Sequence, residues 1–531
     1  MGFVGACAGD PSGRDGPAPS LSDGGMFFFD GGGGGARPDG GGVPIDLGPP
    51  EVEERRDFET PRAGARYVYV ANPRRDTVAV IDSTTLAIRS VEAGDGPTYL
   101  SAVPGRDVAI VLNVGSDDAT ILRTDASGTR TQTLPVVEGT NAVAVAPDGR
   151  HAIAWLDTSV AGSGIGTGSF QDITLLRLDR TLDGTLADTA VNLTVGFRPL
   201  EVVFAQDGST AFVVTEDGIS VVHFADITTP TIVPLLLIDD ATSVFARDVS
   251  ITGDGRYALV RTEGASVVRL VSLSDATVTT MDVGVPISDV DLSPTGTFAL
   301  VVLRETSTLL RIPLPSGFSD PDRIVATTFA AETFGSVTIT PDGRRALLYT
   351  TATPVERLIV VDLDAAAAEP PRIVRLRKAV RAVGVAPDGT TAIVIHTRIP
   401  GDPSDPGIDL DTRIDRSFGY TMLDLRSGFA KLQITEAEVG PLALSPDGAY
   451  AFTFLRNDAA SVRVLQRIAL ASFIVDDYAL GSAPLSLGIV PETSRAFVGQ
   501  LHPEGRISFL EWATGDLVSV TGFELNGRIS E

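Results

Sequence analysis

Cysteine is nearly absent: Cys7 is the only one in 531 residues. That excludes an intramolecular disulfide, a CxxC redox or zinc motif and a CxxCH haem attachment. Cysteine avoidance on this scale fits an oxidising compartment. Long apolar runs are missing too. The longest, such as Ile232 to Ile238 (IVPLLLI), are strand-sized, well short of the roughly 20 residues of a membrane-spanning helix. Positive charge is in deficit. The 42 Lys and Arg against 68 Asp and Glu leave a net charge of -26, a field that repels phosphate backbones and anionic lipid headgroups. Nucleic acid is therefore not an expected partner. No GxSxG elbow and no HExxH occurs, and histidine is limited to 4 residues, so no local constellation for nucleophilic or zinc hydrolysis is present.

What the chain does have is a core's worth of apolar residues, 43% of the total, behind a contrasting lead-in. From Ala8 to Pro50 the composition is mostly Gly, Pro, Asp and Ser, including Gly31 to Gly35 and Gly40 to Gly42. Such a segment buries too little apolar area to offset its ordering entropy, so residues 8–60 are expected to form a disordered tether. Met26 to Phe29 is an apolar island within it. Beyond this point the texture changes to short alternating runs of Val, Ile, Ala, Leu and Thr.

A turn signal punctuates those runs. Ala146-Pro147-Asp148-Gly149 returns as Thr340-Pro341-Asp342-Gly343, Ala386-Pro387-Asp388-Gly389 and Ser445-Pro446-Asp447-Gly448, with worn copies between. Proline presets φ for the second turn position, Asp suits the third, and Gly accepts the left-handed conformation that follows. Taking the proline slot as origin, units begin at 61, 104, 147, 206, 253, 294, 341, 387, 446 and 491. A spacing of roughly 41 to 47 residues is that of a four-stranded propeller blade. The alternation of Tyr67 to Asn72 and Thr77 to Asp82 reads as half-buried strands. The fold class is therefore all-β: a propeller of about ten four-stranded blades over residues 61–531. One ring is expected, and it would be a monomer. The first unit has no inner strand before it, and Phe523 to Ser530 follow the last unit where they can supply one and hide the open edges.

YVYVANPRRDTVAVIDSTTLAIRSVEAGDGPTYLSAV and its relatives resemble the YVTN family of β-propeller repeats, similar to bacterial and archaeal cell-surface and periplasmic proteins. The resemblance implies the propeller and an envelope location; it carries no single activity. Val4-Gly5-Ala6-Cys7 likewise resembles the lipobox of bacterial lipoproteins, so residues 1–7 read as the remnant of a lipoprotein-type signal. Cys7 would then be the lipidated residue and the membrane contact only a lipid anchor. Met1-Gly2-Phe3 alone precede the box, without the basic and apolar regions that such a signal carries. The alternative is a cytoplasmic protein with an inert thiol.

Two units are longer than the rest, with the excess between the second and third strands at Thr158 to Gln171 and Thr397 to Phe418. In a propeller, both insertions decorate one rim, and long loops on a rigid scaffold are where binding tends to reside. The first is rich in glycine, but a strand follows it where a phosphate-cradling loop needs a helix. The second concentrates Asp402, Asp405, Asp409, Asp411 and Asp415, a carboxylate set that suits Ca²⁺, although the EF-hand order is absent and a solvated acidic loop is the simpler reading. His396 and His502 end second strands and are expected to face this rim. Arg372, Arg375, Arg377, Lys378 and Arg381 precede the acidic loop, either as an anion patch or as a charged edge strand compensating it.

Three functions remain open on this reading. The first is a non-enzymatic envelope scaffold binding a protein or polysaccharide through the loop-rich rim. Similar propellers that act as lactonases or lyases, some metal-dependent, suggest the second. The third is a structural surface-layer component.

Overall fold

A computed structural model describes residues 62–103, 105–158, 169–178, 188–225, 231–234, 247–364 and 370–523. Cys7, the Gly-rich lead-in and most of Thr158 to Gln171 lie outside the described residues, as does the proposed closing segment beyond Phe523.

The Pro-Asp-Gly signal forms the tight turn its chemistry dictates. Gly149 N–H donates to Ala146 O at 2.9 Å, and Asp148 Oδ1 accepts from Arg150 N–H at 2.8 Å. Gly149 sits at φ 65°, where a Cβ is penalised. Where Ser or Thr precedes the proline slot, its hydroxyl adds a second tie. Ser445 Oγ accepts from Tyr450 N–H at 2.9 Å and donates to Asp447, which holds that carboxyl below the usual carboxylate range. Each turn joins the first and second strands of one sheet.

There are ten antiparallel sheets, each with its strands in sequence order. Nine have four strands. Among the described residues blade 1 has three, Tyr67–Asn72, Thr77–Asp82 and Ile88–Glu92, corresponding to the second, third and fourth strands of the other blades. Blade 2 shows the full pattern: Pro97–Ala102, Val108–Asn113, Asp118–Asp125 and Gly128–Pro135. One face of each sheet packs on the next blade. Between blades 1 and 2, for example, Tyr67, Tyr69, Val78 and Val80 meet Leu100, Ala109, Val111 and Leu122.

The ring closes through the same physics. Ala63, Val68, Ala79 and Ile81 of blade 1 share a core with Phe497, Ile507, Phe509 and Val520 of blade 10. Hydrogen bonds cross this seam: Glu492 N–H to Ala65 O at 3.0 Å, Ser83 Oγ with Thr493 Oγ1 at 2.9 Å, and Arg495 Nη1 to Ser83 O. The protein is thus a single ten-bladed ring, larger than the usual four to eight blades.

Candidate functional site: the loop-rich rim

Strand order sorts the connections onto two rims. The Pro-Asp-Gly turns and the third-to-fourth strand turns share one, the turn rim. The second-to-third strand loops and the inter-blade loops share the other, the loop rim, which carries residues 397–417.

Residues 397–417 form a built platform. Asp409 caps the helix Leu410–Arg416, accepting from Thr412 N–H at 2.7 Å. From below, Lys378 reaches the helix C-terminus, donating from Nζ to Ile414 O at 2.7 Å and to Asp415 O at 3.1 Å. A cation at carbonyls left unpaired by the helix end is favourable. Lys378 is only 1% exposed, and burial pushes its amine below the ordinary lysine value. Arg377 pairs with Asp411 at 2.7 Å, while Arg416 reaches Asp402 O at 3.3 Å and lies 3.7 Å from Asp405. The basic run is therefore the charged neighbour of the acidic loop. Arg372 and Arg375 bound an outer strand, and Arg381 pairs with Glu438 at 2.5 Å.

The five aspartates do not converge. Asp402 accepts from Ser404 Oγ at 2.7 Å and N–H at 2.8 Å, which lowers its pKa. Asp405 faces Arg416, Asp409 caps, Asp411 pairs with Arg377, and Asp415 offers its backbone oxygen to Lys378. Among the described residues no three His, Cys, Asp or Glu side chains come together to hold a metal ion.

His396 departs from expectation by turning inward. It is 4% exposed; its Nδ1 lies 3.1 Å from Ala379 O and Nε2 2.7 Å from Thr421 Oγ1. A carbonyl can only accept, so the proton sits on Nδ1 and Nε2 accepts from Thr421. Burial lowers its pKa from 6.5 to about 4. The reason is a slot that blades 2, 8 and 10 share. In blade 2 Asn113 ends the second strand and donates to Thr120 Oγ1 at 2.8 Å; in blade 10 Gln500 does the same to Ser508 Oγ at 2.6 Å. His396 fills that slot in blade 8. The third-strand hydroxyl there also anchors inter-blade loops, as Thr120 does for Gly94 N–H at 3.3 Å and Ser220 for Gly196 N–H at 2.9 Å. His502 does reach the loop rim, with Nδ1 3.2 Å from Glu504 Oε2. It lines a cavity of about 370 Å³ at the seam between blades 1 and 10.

Sequence reasoning missed the rim's apolar character. Among the described residues the exposed large apolar side chains fall in three places. Val114, Phe197, Ile399, Leu410, Leu485 and Leu501 stand on the loop rim; Val191, Val278, Val325, Ile373, Ile434 and Ile474 lie on outer strands. Only Phe429 is on the turn rim. Beside the apolar positions, Arg198 lies over Phe197 at 5.2 Å and Phe170 at 5.6 Å, and Arg398 over Phe418 at 4.2 Å. Val114 and Leu501 directly follow strand residues, so in sequence they read as strand ends; no local signal marks them as a surface.

No protein-family model and no curated protein matches the chain. Among solved structures it is similar to hydrazine synthase of Kuenenia stuttgartiensis, at 16% identity over 49% of this chain and 75% of that one, with a TM-score of 0.32. It is also similar to the dihydro-heme d1 dehydrogenase NirN in complex with DHE, at 13% identity over 79% and 76% with a TM-score of 0.39. A eukaryotic initiation factor shares 10% identity over 78% and 96%, with a TM-score of 0.48. Likeness at this level carries no argument about activity; the propeller is read from the sheets themselves.

Proposed function

We propose that the protein is a non-enzymatic binding scaffold of the cell envelope, of the YVTN repeat type, which presents its loop rim to a protein or polysaccharide. The observation that carries this reading is the asymmetry of exposed apolar and Arg-aromatic groups: six apolar side chains on one rim against Phe429 on the other. Aromatic and arginine side chains beside exposed apolar ones are the composition from which interface anchors are drawn. Asp402, Asp405, Asp409, Asp411 and His396, which a channel-mouth enzyme would call on, are engaged within the chain through their side chains. On this reading Cys7 is the lipid anchor, which the mass of the mature N-terminal peptide from native cells would test.

The binding test uses immobilised full-length chain against fractionated envelope proteins and polysaccharides. Ile399→Ser with Leu410→Ser is expected to weaken capture by about 10-fold or more. Capture unchanged by the pair would remove the loop rim from the account.

A further inference from the structure

We infer that Arg398, held over the Phe418 ring on the loop rim, receives a carboxylate of a protein partner, and that Ile399 and Leu410 take the apolar side chains beside that carboxylate. The partner chemistry so named rests on the reading of the loop rim as a binding surface.

Arginines stacked on aromatic rings recur around the propeller, and what their guanidinium forks hold sets one apart. Among the described residues six lie over a ring: Arg66, Arg198, Arg256, Arg311, Arg398 and Arg467. Four are paired with carboxylates: Arg66 with Asp82 at 2.7 Å, Arg198 with Glu216 at 3.2 Å, Arg256 with Asp254 at 2.6 Å and Arg467 with Asp476 at 2.6 Å. Arg311 donates to Leu363 O at 2.7 Å. Arg398 is the exception. Its guanidinium lies 4.2 Å from the Phe418 centroid, and among the described residues no hydrogen bond or ion pair takes it. A guanidinium held on a ring loses much of its freedom while its planar fork of N–H donors stays available, and that fork matches a carboxylate at two points.

The platform's own carboxylates are committed elsewhere. Asp405 faces Arg416 at 3.7 Å, Asp411 pairs with Arg377 at 2.7 Å, and Asp402 and Asp409 are held by Ser404 and Thr412. Asp415 acts on the Lys378 amine. Beside Arg398 the surface is apolar and open. Ile399 N–H donates to Asp415 O at 3.0 Å, which lays Arg398 and Ile399 along the C-terminal end of the helix Leu410–Arg416. Leu410 lies about 8 Å from Asp415 along the helix axis. Ile399 and Leu410 are 46% and 66% exposed. Arg413, three positions on from Leu410 and so on the same side of the helix, is a second exposed cation with no ion pair among the described residues.

This chemistry fits a protein segment better than a polysaccharide. Sugar rings pack their C–H faces on open aromatic rings, and here Arg398 occupies the Phe418 face while the exposed neighbours are aliphatic. An arginine anchor beside aliphatic contacts is the combination that protein interfaces use. The net charge of -26 repels an acidic partner at long range. At physiological salt that field is screened beyond about 8 Å, and the fork acts at contact.

Retention of the full-length chain is measured at about 0.15 M salt on immobilised glutamate-leucine random copolymer, poly-glutamate and alginate, a uronate polysaccharide. The copolymer should hold the chain more tightly than either of the other two. Arg398→Gln should weaken that retention by about 10-fold, and Arg398→Lys, which keeps the charge and loses the fork, should not restore it. Arg75→Gln removes an exposed loop-rim arginine of blade 1 and should change nothing. No retention on the copolymer, tighter retention on alginate, full retention of Arg398→Lys, or equal losses for Arg398→Gln and Arg75→Gln would overturn the assignment. On the unmodified chain the copolymer should slow phenylglyoxal modification of Arg398 and not that of Arg75; equal rates at Arg398 with and without copolymer would count against the receptor. Against fractionated envelope proteins the two readings separate. Capture lost in Ile399→Ser with Leu410→Ser but kept in Arg398→Gln would remove the carboxylate receptor and leave the loop rim standing, whereas capture unchanged in both would remove the rim itself.

Discussion

The two rims are made from the same repeat and teach different things. On the turn rim nearly every blade uses one solution: a left-handed glycine at φ 64° to 69° and, in the Pro-Asp-Gly copies, an aspartate holding the backbone two residues on. Repetition there is a folding requirement, and it leaves the surface polar. On the loop rim the buried second-strand slot recurs in three blades, filled by Asn113, His396 and Gln500. Above that slot the loops vary in length and carry the exposed apolar groups. Uniformity marks the scaffold, and variation marks the surface free to be selected for binding.

The largest expected effect that separates the rims lies on the turn side. Arg123 clamps blade 2 to blade 3 there, with Nη1 and Nη2 at 2.5 and 2.7 Å from the Asp188 carboxylate, whose side chain is 0% exposed. Arg123→Ala should cost about 3–5 kcal/mol by removing the cation that faces a buried carboxylate, read by denaturant unfolding, with loop-rim binding unchanged wherever the chain is folded.

Next comes acid. His396 is neutral in the fold down to about pH 4, while the unfolded chain takes up the proton near 6.5. A depressed base pKa means that the unfolded state binds more protons in this window. Stability is fully present above 6.5 and falls as pH drops toward 4, by about 3 kcal/mol. His396→Gln, which copies blade 10, should remove this share of the pH dependence; parallel pH profiles for the two chains would show that His396 is not the titrating group.

Gly255→Ala should cost about 1–2 kcal/mol, since its φ is 67° and a Cβ would lie 2.6 Å from Phe212 Cζ. This change too should leave binding untouched. Smallest in stability is the double substitution Ile399→Ser and Leu410→Ser. The two side chains are 46% and 66% exposed, so unfolding should shift by less than about 0.5 kcal/mol while capture falls. A loop-rim change that moved stability as much as Arg123→Ala would erase the distinction.

Much of the scaffold was legible because it is written in local chemistry. The Pro-Asp-Gly slots placed the hairpins, strand alternation placed Tyr67–Asn72 and Thr77–Asp82, and the opposite charge of neighbouring runs anticipated the Arg377 to Asp411 pair. The direction of a strand-end side chain was not legible. A register shift between Val380 and Ala382 sets the local pairing beside His396, and the slot it fills is occupied by chemically unlike residues in other blades, so no repeat signature announces it. The acidic cluster was visible as composition, but where each carboxylate points depends on the helix Leu410–Arg416. The apolar rim arises from loops of different blades brought side by side, a juxtaposition that exists only in the closed ring.

The most direct test of the difference between the rims is photo-cross-linking in native cells, with one photoreactive residue placed at Leu410, Leu501 or Phe429. Adducts from positions 410 and 501 and none from 429 are predicted. Equal adducts from 429, or none from 410 and 501, would contradict the assignment of binding to the loop rim.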